Sequence, residues 1–66
     1  MDVRFKIKDK PVLVIGTVNG MTFSRTITPE LARSTVELYK YMNAEAEDEV
    51  DGILLIQDDE IVGVLD

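Results

Sequence analysis

The chain contains no cysteine, no histidine and no tryptophan. Without cysteine there can be no disulfide, no thiolate metal site and no thiol nucleophile, and no cysteine pattern to report a redox compartment. Without histidine the usual acid/base group of neutral pH is missing, and most zinc chemistry goes with it. Long apolar runs are also lacking: VLVIGTV and ILLI are far too short to span a bilayer. The first residues, MDVRFKIK, alternate charge with hydrophobe where a secretory signal needs an unbroken apolar core. These absences lead to the expectation of a soluble, cytoplasmic protein.

Positive charge is missing from one end of the chain. Up to Met42 there are seven bases and four acids, whereas from Asn43 onward there are nine acids and no base, so +3 and −9 make up the net −6. A chain this acidic is repelled by nucleic acid and lacks a general basic footprint. Direct nucleic-acid binding is therefore not expected, although Arg4, Lys6 and Lys8 with Arg25 form a local basic group. The four glycines are scattered, so neither G-x-x-x-x-G-K-[ST] nor G-x-G-x-x-G occurs. Ser24, Ser34 and the threonines have no histidine to activate them. No catalytic residue, cofactor site or metal site is assigned, and the chain is read as a non-enzyme.

Sixty-six residues make one domain, residues 1–66, near the lower limit for folding without a disulfide, a metal or a partner. Self-association, most simply a dimer, is expected for that reason.

One segment, TITPELARSTVELYKYM (residues 26–42), reads as an amphipathic helix. Thr28 suits the N-cap, Pro29 the first helical position and Glu30 the positive end of the dipole. Leu31, Thr35, Leu38, Tyr39, Met42 and Ala46 recur on one stripe with Ala32 at its margin, while Arg33, Glu37, Lys40 and Ala44 fall opposite. Tyr41 points away from the stripe and is expected to be exposed.

The remaining pattern is that of strands. Val3, Phe5 and Ile7 alternate with Arg4, Lys6 and Lys8, and Asp9-Lys10-Pro11 ends the run. VLVIGTV (12–18) is apolar at both parities as far as Ile15, the mark of an interior strand. Asn19-Gly20 then predicts a two-residue hairpin into MTFSRTI (21–27). That turn sets Val18 opposite Met21, Gly16 opposite Phe23 and Val14 opposite Arg25, with Gly16 leaving room for the Phe23 ring. Val3, Phe5, Ile7, Val12, Val14, Val18, Met21, Phe23 and Ile27 are assigned to the face under the helix. The other face receives Arg4, Lys6, Lys8, Leu13, Ile15, Thr22, Ser24 and Thr26. One helix cannot cover both sides of a sheet, so this second face meets solvent, another subunit or an anionic ligand.

After the helix, NAEAEDEVD (43–51) reads as a fraying helix end and a loop, because its carboxylates sit at the negative end of the dipole. ILLI (53–56) and IVGVL (61–65) form a terminal hairpin with Asp58-Asp59 at its tip. Ile53, Leu55, Val62 and Val64 are expected on one face, and Leu54, Ile56 and Ile61 on the other.

The fold class predicted is α+β: a single five-stranded mixed sheet, β-β-β-α-β-β in chain order, with one helix on one face. A right-handed crossover lays the fourth strand parallel beside the first and gives the sheet order 3-2-1-4-5. That order is similar to the sheet of ribonuclease H-like folds and of small antitoxin domains shaped like them. The resemblance is architectural. The ribonuclease H family carries a metal-binding Asp in its first strand where this chain has Arg4, Phe5 and Lys6, so no nuclease site is carried over.

The acids Glu45, Glu47, Asp48, Glu49, Asp51, Asp58, Asp59 and Glu60 are the candidate contact for a partner with a basic surface. Glu47 to Gly52 places acids before a glycine, as a calcium loop does. The first position is Glu, however, the last would be Asp58 in place of a bidentate Glu, and a strand follows where an exiting helix belongs. Two functions from different classes are therefore expected. One is an acidic protein-interaction module, inhibitor-like or antitoxin-like, that self-associates. The alternative is a small homo-oligomer holding a nucleotide-like anion between subunits with Arg4, Lys6, Thr22, Ser24 and Thr26.

Overall fold

Asn19 and Gly20 both take positive φ, 51° and 79°, so the turn between the central strands has the backbone of a type I′ hairpin. In a computed structural model, residues 2–4 and 7–65 are described, with side chains from Ile7 to Leu65. The elements are β1 (Asp2–Arg4), β2 (Val12–Val18), β3 (Met21–Ile27), α1 (Pro29–Arg33), α2 (Thr35–Ala46), β4 (Gly52–Gln57) and β5 (Glu60–Leu65). The β2–β3 register is the one that the Asn-Gly turn dictates: Val18 faces Met21, Gly16 faces Phe23, Val14 faces Arg25 and Ile15 faces Ser24. A second hairpin joins β4 to β5 through Asp58 and Asp59, again both at positive φ.

The five-stranded mixed sheet does not form. The body of the sheet is four antiparallel strands in the order β3-β2-β4-β5, and the three-residue β1 runs antiparallel along the outer edge of β5. β4 does run parallel to β3, as a crossover through the helices requires, but β2 lies between them. It therefore pairs with β2, Leu13 opposite Ile56 and Ile15 opposite Leu54, instead of with the first strand. The physical reason lies in the two runs themselves. VLVI and ILLI are each apolar at both parities, and side by side in the middle of the sheet both lose their edges to solvent. The basic, alternating first segment goes to the periphery. With the order 3-2-1-4-5 gone, the resemblance to ribonuclease H-like sheets goes too.

The single long helix is also corrected. At Ser34 the backbone leaves the helical region (φ −100°, ψ 107°), ending α1 and starting α2. Thr28 Oγ1 accepts from Leu31 N at 3.3 Å and Ser34 Oγ accepts from Glu37 N at 3.3 Å, so each helix has its own N-cap. α2 continues to Ala46 and stops at Glu47, whose φ of 56° is left-handed. Asn43 Oδ1 then accepts from Val50 N at 2.9 Å, and Asp51 N donates to Thr17 O at 2.7 Å, which feeds the chain into β4.

The core lies between this helical layer and one sheet face. Leu38, Met42 and Ala32 meet Val12, Val14, Ile27, Ile53, Leu55, Val62 and Leu65, with Ile7 and Val50 closing the ends. Full burial of a side chain such as Leu38 is worth about 1.5–3 kcal/mol. Three assignments change. Met21 is 71% exposed, being too close to the β2–β3 turn to be covered by the helix. Val64 is opposite Leu54 on the uncovered face, because a bulge near Ile56 shifts the β4–β5 register and leaves Val62 and Gly63 both buried. Tyr41, expected in solvent, is half-buried and packs against the core on the β3 flank of α2. Phe5 and Lys6, and the side chains of Val3 and Arg4, lie outside the described residues.

Candidate interaction surface

With α1 and α2 on one side, the other side of the sheet has no cover among the described residues. Strand alternation places Leu13, Ile15 and Thr17 of β2 on it, together with Thr22, Ser24 and Thr26 of β3. The β2–β4 pairing adds Leu54 and Ile56, and the β4–β5 pairing adds Ile61 and Val64. Six aliphatic side chains thus adjoin across three strands, with three hydroxyl residues along the β3 margin. Leu13 is 39% and Ile61 53% exposed, and Ile15, Leu54, Ile56 and Val64 are half-buried against one another. From β2 to β5 no charged side chain occupies an outward position on this face, in a chain that is 30% charged. A shallow depression of about 310 Å³ lies in it, lined by Ile15, Thr17, Thr22, Leu54 and Val64 among others.

Five of the eight residues assigned to this face from the sequence are brought together here: Leu13, Ile15, Thr22, Ser24 and Thr26. Lys8 is not on the sheet; it lies in the segment before β2, with its Nζ 3.3 Å from Asp58. Arg4 belongs to β1, at the opposite edge of the sheet from Thr22, Ser24 and Thr26, so one chain does not unite the basic and hydroxyl halves of an anion pocket. Lys6 falls outside the described residues. Leu54, Ile56, Ile61 and Val64 complete the patch and were missed as neighbours of Leu13 and Ile15, because their adjacency depends on β4 pairing with β2.

The acidic residues do not form one surface. Asp48 bonds Asn19 and Asp51 N bonds Thr17 O, which fixes the 45–51 run at the end of the sheet that carries the β2–β3 turn. Asp58, Asp59 and Glu60 are at the other end, separated by the length of β4, about 17–20 Å at ~3.4 Å per residue. Several of the acids are already engaged. Glu45 Oε1 accepts from Arg25 Nε at 2.7 Å, and Asp48 accepts from Asn19 Nδ2 at 3.1 Å and from Glu49 N at 2.8 Å. Asp58 accepts from Lys10 at 2.5 Å and from Lys8 at 3.3 Å, and these hydrogen bonds, Lys10 first, hold its carboxyl below the ordinary value. Glu47, Glu49, Asp51, Asp59 and Glu60 are exposed with no side-chain partner among the described residues.

A second concavity, about 400 Å³, lies beside α1 between Pro11, Thr26, Ile27, Thr28, Pro29, Leu31 and Tyr41. Its apolar walls explain why Tyr41 is drawn inward. Among the described residues no three His, Cys, Asp or Glu side chains converge as a metal site requires. No described helix is long and apolar enough to cross a membrane. No family model matches the chain, and no curated protein or solved structure matches it either.

Proposed function

We propose that the protein is a non-catalytic interaction module whose contact surface is the open sheet face, and that the occupant of that face is a second copy of the chain. One observation carries the reading: six contiguous aliphatics, Leu13, Ile15, Leu54, Ile56, Ile61 and Val64, occupy a face with no charged side chain at the outward positions of β2 to β5 and no cover from the helices. Surface hydrophobes scattered singly need no explanation, but a contiguous group marks a contact.

Charge favours a copy of the same chain there. Two molecules at −6 repel each other over most of their surfaces. This face is where they approach without opposing carboxylates. Its size places the contact in the small class. Four strands at ~4.8 Å spacing and about five residues at ~3.4 Å give a footprint of about 330 Å² per copy, within the range of weak, reversible interfaces. Glu47, Glu49 and Asp51 have no side-chain partner among the described residues and stand at one end of the sheet for a basic partner, while Glu45, Asp48 and Asp58 are held by Arg25, Asn19 and the Lys8–Lys10 pair.

Light scattering after size exclusion, from about ten to several hundred micromolar, tests this. The parent is expected to pass from monomer to dimer, more completely at high salt because screening weakens the like-charge repulsion. Ile15→Lys and Leu54→Lys should each lose the association made through this face, read as a lower mean mass than the parent at every concentration, while keeping the parent circular dichroism spectrum. A parent that is monomeric throughout the range at high salt would remove the reading.

A further inference from the structure

β3 is one margin of the sheet, and no described strand pairs with its outer edge. A two-residue hairpin makes Val18–Met21 a hydrogen-bonded pair, so Met21, Phe23, Arg25 and Ile27 direct their backbone groups to β2. Thr22, Ser24 and Thr26 therefore direct theirs outward. Among the described residues the contact given to these outward groups is Arg25 Nη1 donating to Ser24 O at 2.8 Å. The strand is seven residues long, has no proline and carries Arg25 as its one charge. The opposite margin is handled differently: β5 has a bulge and is covered over Gly63, Val64 and Leu65 by β1. Sheet proteins normally blunt so long an edge with proline, a bulge or several charges, and here Arg25, which reaches Glu45 on the helix side, is the one charge on it.

We propose that β3 pairs antiparallel with β3 of a second copy, with the two-fold axis at Ser24. The sequence of β3 is complementary to itself about that residue. In this register Thr22 meets the copy's Thr26, and Met21 meets Ile27. Arg25 meets Phe23. Hydroxyl pairs and apolar pairs are favourable cross-strand neighbours. Arg25 already stands over the Phe23 ring of its own chain, 5.4 Å from the centroid, and pairing offers it the same kind of partner across the axis. A register centred on Arg25 would instead oppose two guanidinium groups, which like charges directly across a sheet disfavour. The Ser24-centred ladder makes six backbone hydrogen bonds from the three outward residues of each copy, and it covers Met21, which is 71% exposed in the single chain. The Arg25 bond to Ser24 O is the contact that the incoming strand replaces.

This contact is independent of the one on the open face, and cysteine trapping separates the two in a chain that has none of its own. Hydrogen-bonded cross-strand residues lie about 5.5 Å apart between Cα atoms, within disulfide range, whereas sheets stacked face to face are about 10 Å apart, outside it. Under mild oxidation Ser24→Cys is expected to give a covalent dimer at least ten-fold faster than Val36→Cys, a control at a 64% exposed position on α2. Thr22→Cys and Thr26→Cys should link to each other when mixed and only slowly when alone. The same trapping is repeated with Leu54→Lys added, which breaks the face contact. Linking that persists there supports the edge contact even if the open-face reading has failed. Linking of Ser24→Cys no faster than Val36→Cys, or linking abolished by Leu54→Lys, overturns it.

Discussion

Gln57 grips the backbone of Lys8 from both sides. Its Oε1 accepts from Lys8 N at 2.9 Å, and its Nε2 donates to Lys8 O and Lys10 O at 3.0 Å each. Gln57 is the one buried polar side chain among the described residues. Its amide satisfies an irregular segment that has no sheet partner of its own. Gln57→Leu keeps the volume but leaves Lys8 N and Lys10 O without that partner, while Lys8 O still accepts from Lys10 N at 2.9 Å, at an expected cost of about 1–3 kcal/mol in urea unfolding. The Lys8 amide should also exchange its hydrogen faster than in the parent. Unchanged stability and exchange would mean that water serves these groups equally well.

Asp58 links the same segment to the β4–β5 tip, and its effect should depend on pH. Hydrogen bonds from Lys10 and then Lys8 lower its folded carboxyl from the ordinary 3.8. A carboxyl depressed on folding contributes stability that is complete above its unfolded value and is lost as pH falls through the folded one. Urea midpoints measured from pH 7 to pH 2 should therefore fall further below pH 4 for the parent than for Asp58→Asn. The difference should shrink in high salt, because both partners are well exposed. Parallel pH curves for the two proteins would show that the pair does not couple to folding.

The hairpins could be read from the sequence because each is fixed by a few adjacent residues. Asn19-Gly20 set the whole β2–β3 register, and Asp58-Asp59 marked the second tip. Strand order was a different problem. Alternation tells which side chains share a face of one strand, but not which strand lies next to it, and VLVI could be paired with the first segment as readily as with ILLI. The bulge that carries Val64 to the open face leaves no local signature beyond Gly63. The helix break did leave one. Ser34-Thr35-Val36-Glu37 has the S-x-x-E spacing of a capping box, and Ser34 does cap α2. The helical periodicity running across it hid the signal.

The open face was legible by halves for the same reason. Leu13, Ile15, Thr22, Ser24 and Thr26 follow from one hairpin and Leu54, Ile56 and Ile61 from the other, but their union depends on β2 meeting β4. Likewise the acids looked like one group in the sequence, because nine of them follow Met42 without a base. Folding sends Asp48 and Asp58 to opposite ends of β4. It also pairs Asp58 with two lysines from a segment 48 to 50 residues earlier.

Gly16 shows how closely the helix is packed on the sheet. A Cβ there would lie 2.8 Å from Met42 Cε, 2.8 Å from Phe23 Cε1 and 3.0 Å from Phe23 Cζ. Two effects oppose each other in Gly16→Ala: alanine is favoured over glycine in a strand by roughly 0.5–1 kcal/mol, while overpacking costs typically about 1–3 kcal/mol. Met42 is fully buried and the Phe23 ring lies under Arg25, so neither side chain moves away freely, and overpacking should win. Gly16→Ala is expected to destabilise the parent and to be less destabilising in a Met42→Ala background, where of these contacts only those with the Phe23 ring remain. A double-mutant cycle in urea reads this as a coupling of at least about 0.5 kcal/mol. Additive effects would mean that Met42 does not rest on Gly16 in solution.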